Sequence, residues 1–130
     1  MRVPLIGLLV ALALGCGSAE SANGSTSLTV TVWPEGRGAG RTTWTLRCDP
    51  PRGTHPRRAA ACTALARAKT PFAPVAETAI CTQIYGGPDE ALVRGTYRGR
   101  RVSARFERTD GCQITRWNRL SSVLAAGAAR

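Results

Sequence analysis

Short alternations of apolar and polar residues dominate the chain, and each predicts a half-buried strand. Residues 28–32 read Leu-Thr-Val-Thr-Val. Residues 42–48 alternate again, with Trp44, Leu46 and Cys48 on one face. Between them, residues 34–40 hold three glycines and a proline, so a loop is expected and the two strands pair antiparallel. Residues 91–97 read as a strand, and residues 101–108 alternate with Val102, Ala104 and Phe106 inward and Ser103, Arg105 and Glu107 outward. Arg98-Gly99-Arg100 joins these two as a hairpin turn. A fifth strand is expected at residues 113–117, after the turn Thr109-Asp110-Gly111.

One segment breaks the period of two. Residues 57–69 are alanine-rich, and Cys62, Leu65, Ala66 and Lys69 follow the i, i+3, i+4, i+7 spacing of a helix. Pro56 fits its first turn, with Thr54 or His55 as cap. Residues 70–78 carry Pro71 and Pro74 and read as irregular, and residues 121–130 as a small-residue tail that frays. No internal repeat is present.

The N-terminus reads as an export signal. One arginine precedes an almost unbroken apolar run over residues 3–14, of h-region length and too short to span a bilayer. Ala13-Leu14-Gly15-Cys16 then resembles a bacterial lipobox, in which Cys16 would be lipidated and become the first mature residue. The rival reading cuts after Ala19 or Ala22 and removes Cys16. Residues 1–22 are thus export signal and start of a tether, 23–27 a flexible arm, 28–124 one folded domain and 125–130 a frayed tail. The protein is expected outside the cell, either released or held on the outer membrane face by a lipid on Cys16.

Either cut leaves Cys48, Cys62, Cys81 and Cys112, an even number in an oxidising compartment. Intervals of 13, 18 and 30 residues, with no C-x-x-C, argue against zinc. Thirteen residues from a strand end to a helix suit a disulfide, so Cys48–Cys62 is the first pair expected. Closing that loop stabilises by about 3 kcal/mol on the chain-entropy estimate.

Composition narrows the function. The sequence has 130 residues, 18 Lys+Arg against 8 Asp+Glu, and 5% aromatics. That is room for one small domain. His55 is the single histidine and lies in a Gly/Pro-rich stretch, which argues against a Ser-His-Asp hydrolase and assigns it a turn or capping role. No paired carboxylates, metal cluster or activated nucleophile stands out; no cofactor is implied, and an enzyme is not expected. Trp44 and Trp117 are expected to pack in the core or at its edge. Arginine supplies 17 of the 18 basic residues. Arg94, Arg98, Arg100, Arg101, Arg105 and Arg108 crowd one hairpin. Nucleic acid is an unsuitable partner, because the aromatics nearby are Tyr97 and the inward Phe106. Anionic surfaces fit better.

With Leu28-Thr29-Val30, Leu46-x-Cys48, Gly53-Thr54-His55-Pro56, Ala61-Cys62-x-x-Leu65, Cys81-Thr82-Gln83-Ile84-Tyr85, Gly99-x-Arg101-Val102, Cys112 and Ser121-Ser122-Val123 in this order, the chain resembles the Streptomyces subtilisin inhibitor family. The resemblance spans about residues 28–124. It implies an α+β fold, a five-stranded antiparallel sheet with helices packed on one face. It implies the disulfides Cys48–Cys62 and Cys81–Cys112, and a dimer through the sheet. It further implies that the loop after Cys81 enters the cleft of a secreted subtilisin-like serine protease. Mapped residue by residue, Gln83 and Ile84 fall at P1 and P1′, Cys81 and Thr82 at P3 and P2, and Tyr85 at P2′. Thr82 replaces a frequent proline, and Gly86-Gly87-Pro88 the usual Asp-Pro; both are expected to loosen the loop. The alternative from another class is a non-inhibitory cell-surface lipoprotein that binds through the arginine-rich face.

Overall fold

In a computed structural model, residues 24–124 are described. The expected export signal with Cys16, and the expected tail 125–130, lie outside them. Seven elements follow in order: β1 (Thr26–Trp33), β2 (Thr42–Cys48), α1 (Arg58–Arg67), β3 (Glu90–Tyr97), β4 (Arg100–Glu107), α2 (Gly111–Arg119) and α3 (Ser121–Leu124). The strands form one antiparallel sheet in the order β2-β1-β3-β4. Its register sets Val30 between Trp44 and Val93, and Val93 opposite Ala104.

Alternation decides which face is buried. Leu28, Val30 and Val32 of β1, Leu46 of β2, Ala91 and Val93 of β3, and Ala104 and Phe106 of β4 all point to one side and are buried. The helices cover that side. A single solvated face is the common condition of an antiparallel sheet. Here that face carries mainly Ser, Thr and Arg, with Leu92 between Thr31 and Arg105, and Thr31 and Thr43 hydrogen-bond across it at 3.2 Å.

Four differences from the sequence expectation have local causes. The sheet has four strands, because residues 113–117 belong to α2. Asp110 caps that helix, its carboxylate accepting from the Gln113 N–H at 2.9 Å. Trp117 and Leu120, spaced as on a helix face, enter the core. The expected tail likewise starts as α3, where Val123 and Leu124 are fully buried. The inward stripe of α1 is rotated by one residue from the expected one: Ala61 and Leu65 are buried, Ala64 and Ala68 partly so, and Ala66 and Lys69 exposed. The cause is Cys62, which turns sideways to join Cys48 at the end of β2. Finally, β1 starts at Thr26, inside the expected arm, because Thr26 pairs with Cys48 and Ser27 with Thr96.

His55 is buried and holds α3 in place. Its Nδ1 accepts from the Arg57 N–H at 3.0 Å, so the neutral ring carries its proton on Nε2, which donates to the Val123 carbonyl at 2.9 Å. The expected side-chain cap on α1 is absent, since the α1 N-cap is Arg57 and makes no side-chain capping bond. Trp44 stacks at a tilt on His55, with centroids 5.3 Å apart. Burial pushes the imidazole below its ordinary value of 6.5; the Val123 carbonyl opposes this, and Arg57 and Arg58 add to it. The unfolded chain therefore binds a proton near pH 6.5 that the folded chain refuses. Stability from this residue is full above that pH and is lost as the pH falls below it. The urea midpoint should drop between pH 7.5 and pH 5, and the drop should shrink in His55→Gln. An identical drop in both proteins would remove His55 from the account.

Candidate functional site

One loop stands apart from the rest of the surface. Among the described residues the exposed large apolar side chains are Ile80 (100%), Ile84 (59%) and Tyr85 (66%). All three lie within residues 80–85. A small domain does not ordinarily spend its large apolar residues this way, and a cluster of them marks a binding surface.

The loop is exposed but tied on both sides. Cys81 is joined to Cys112 at the start of α2. The Thr82 carbonyl accepts from the Gly111 N–H at 2.9 Å. On the other side the Gly86 N–H donates to the Arg108 carbonyl at 2.7 Å. Between these tethers lie Gln83, Ile84 and Tyr85, all solvent-exposed. A side-chain bond of 3.4 Å from Gln83 Nε2 to the Cys81 carbonyl is long enough to be given up readily.

The platform beneath is the junction of β4 and α2. Asp110 caps α2 and so fixes the Gly111 N–H that holds Thr82. Arg116 lies over the Phe106 ring at 4.0 Å, donates through Nε to the Ala73 carbonyl at 2.9 Å, and bonds the Arg105 carbonyl. It thereby pins the irregular segment that leads into the loop. Burial lowers the Arg116 pKa, while Glu107 opposes the shift; the guanidinium remains charged.

Two of the positions expected to loosen the loop, Thr82 and Gly86, are closely packed. Thr82 packs against Gly111, where a Cβ would collide with its hydroxyl. At Gly86 a Cβ would stand 2.8 Å from Ile114 Cδ1 and 2.9 Å from Ile114 Cγ1. The glycine is thus a close-packing residue that lets the loop sit down on α2. Neither Arg116 nor Ile114 was picked out in the sequence; the cue was Asp110-Gly111, a cap followed by a helix rather than a strand.

The arginine-rich hairpin is smaller as a patch than the sequence suggests. Arg94, Arg98, Arg100 and Arg101 are exposed. Arg105 is exposed too but pairs with Glu90 at 3.4 Å, and Arg108 is partly buried beside Asp89 at 3.7 Å. Among the described residues the one cluster of metal-ligating types is Cys81, Asp110 and Cys112. Its sulfurs are bonded to each other and its carboxylate caps α2, so it offers no ligand set. No helix of the described residues is long and apolar enough to cross a membrane.

A family profile described as subtilisin inhibitor-like matches residues 15–109. The chain belongs to this family. Its members are protease inhibitors, not enzymes. Among solved structures the chain is similar to Streptomyces caespitosus sermetstatin, determined in complex with Bacillus licheniformis subtilisin. Identity is 24%, the match covers 77% of this chain and 98% of that one, and the TM-score is 0.48. No curated protein matches the chain. The matched span of this subtilisin inhibitor-like chain includes β1 to β4 and the exposed loop, and ends just before α2.

Proposed function

We propose that the protein is an exported inhibitor of a subtilisin-like serine protease. Its loop enters the active cleft as a substrate would, with Gln83–Ile84 as the reactive bond. Cys81 and Thr82 contact the protease at P3 and P2, and Tyr85 at P2′. The observation that carries this reading is the exposed apolar loop clamped at Cys81, Thr82 and Gly86. Family membership supports it.

The mechanism follows from the clamps. A substrate-like segment pairs its main chain with edge strands of the enzyme and fills its side-chain pockets. A free peptide loses conformational entropy when it binds in this way; this loop has lost most of it on folding. If the enzyme cuts Gln83–Ile84, the new end at Gln83 stays held through Thr82 and Cys81, and the new end at Ile84 through Gly86. The leaving group cannot diffuse away, and religation competes with hydrolysis. Exposed Ile84 and Tyr85 supply the apolar area beyond the bond, within an interface of about 1,600 Å² in total. Gln83 offers no charge to a trypsin-type pocket lined by aspartate, while a broader pocket accepts it.

Titration of subtilisin activity with the oxidised protein tests the proposal. Stoichiometric inhibition is expected, with Gln83→Pro abolishing it. Gln83→Lys is expected to add trypsin inhibition, since it supplies the missing ion pair. A trypsin profile unchanged by Gln83→Lys would move the reactive bond elsewhere. Failure of the folded parent to inhibit would count against the subtilisin-like target.

Export, by release or by a lipid on Cys16, is part of the same proposal, as is a dimer through the open sheet face. The apolar run over residues 3–14 and the disulfides support an oxidising, extracellular setting. Mass spectrometry of the mature protein distinguishes a diacylated Cys16 from a start after Ala19 or Ala22. Sedimentation velocity reads the dimer.

A further inference from the structure

Charge is segregated along the strands. One end of the sheet carries Trp33, Glu90 and Glu107 in register, and the reactive loop springs from that end. Glu35, Asp89, Glu90, Glu107 and Asp110 all lie there. So do the three ion pairs of the described residues, Arg37–Glu90, Arg105–Glu90 and Arg108–Asp89.

The opposite end is different. It consists of the Arg98-Gly99 turn, the first residues of β4, and the end of β2 with its return. Arg98 (φ 48°) and Gly99 (φ 80°) form the two-residue turn, which projects Arg98, Arg100 and Arg101 into solvent. At the same end but on the opposite edge of the sheet, three strand spacings or about 14 Å away, Arg47 and Arg52 bond each other's backbone at 2.8 Å in both directions and are exposed. None of these five arginines forms an ion pair among the described residues, and Asp49 is the one carboxylate on these segments. The five are separated from the reactive loop by the length of β4, about 24 Å for an eight-residue strand.

The described chain also begins at this end. The Ser25 carbonyl accepts from the Gly99 N–H at 3.0 Å, and Gly24 lies against Gly99. Cys16, which the lipobox reading keeps as the first mature residue, is therefore only eight residues ahead of the point where the chain joins the fold at the Arg98-Gly99 turn.

We propose that this end docks on an anionic phospholipid surface and holds the inhibitory loop on the far side, about 24 Å from the bilayer. The charge complements the headgroups, and Cys16, the lipid-bearing first residue of the lipobox reading, leads into the fold at the same end. A second copy docked end to end here would set arginine against arginine. The orientation of the loop rests on the inhibitor reading; the docking does not.

The test uses the full chain and sedimentation with two vesicle preparations, phosphatidylcholine alone and phosphatidylcholine with 30% phosphatidylglycerol. Two triple variants lose the same net charge. Arg47→Gln, Arg100→Gln, Arg101→Gln removes it from the arginine end; Arg37→Gln, Arg41→Gln, Arg105→Gln removes it from the loop end. Each arginine near an anionic bilayer is worth about fivefold in partition, so the first variant should lose about 100-fold on phosphatidylglycerol vesicles. The second should lose much less. Binding to phosphatidylcholine alone, which reports adsorption that needs no anionic headgroup, should be equal in all three proteins. Equal losses in both variants, or no loss in the first, overturn the proposal. So does a first variant that keeps its vesicle binding but no longer self-associates, which would put a second copy on that end. Protease titration of the same samples is read separately. A protein that binds vesicles but does not inhibit defeats the inhibitor reading and leaves the docking intact.

Discussion

Replacing both Cys81 and Cys112 by serine should turn the protein from an inhibitor into a substrate, with the inhibition constant weakened by about 100-fold or more. Loss of the cross-link frees a segment of 31 residues in sequence separation. On the chain-entropy estimate the unfolded state then gains about 3.5 kcal/mol. More of the effect is local. Without the bond, Cys81, at P3 in the proposed reading, is no longer fixed to α2, and an end cut after Gln83 can leave the cleft before religation. The loop must also be ordered at the moment of binding. A time course with protease should show accumulating cleavage after Gln83 in the variant and a stable complex with the parent. The parallel pair Cys48→Ser, Cys62→Ser should lower stability by about 3 kcal/mol yet keep inhibition wherever the protein is folded. That bond lies between β2 and α1, away from the loop. Equal inhibition constants for the parent and the Cys81, Cys112 variant would show that hydrogen bonding alone preorganises the loop.

Phe106→Ala should be the most damaging single substitution in the core, with a loss of about 3–5 kcal/mol. The ring is 1% exposed and sits opposite Ala91. Two losses combine. One is the cavity beneath the helices. The other is the ring face that carries the Arg116 guanidinium. With that support gone, the hold of Arg116 on the Ala73 carbonyl weakens, and the segment entering the exposed loop is released. Thermal unfolding should shift down by about 15 °C or more for a domain of this size. Phe106→Leu keeps much of the volume and should cost far less. A shift of only a few degrees for the alanine variant would mean that the core closes over the site.

The parts of the fold that were legible in the sequence are those with a clear period, the four strands and helix α1. Burial alternates along β1, β2, β4 and the first half of β3, and β2 ends at Cys48, where the spacing put it. The parts that were not legible depend on contacts between segments distant in sequence. Residues 113–117 have the composition of a strand, but the Asp110 carboxylate and the packing of Trp117 make them helix. The stripe of α1 could not be phased correctly, because Cys62 was counted as inward when it faces the end of β2. For the site, the sequence located the exposed loop through the resemblance carried by residues 81–85. It did not foresee that Gly86 is pressed against Ile114, because nothing local distinguishes a flexible glycine from a close-packed one.

The exposure of Gln83, Ile84 and Tyr85 has an evolutionary consequence. Each of these side chains faces solvent, while the fixing is done by their neighbours. Their replacement should change folding free energy by no more than about 0.5 kcal/mol, as for other surface sites away from special features. Lineages can therefore exchange these three residues without endangering the fold. An arms race with a changing protease can then proceed by single codons in the loop, while selection on the scaffold stays purifying.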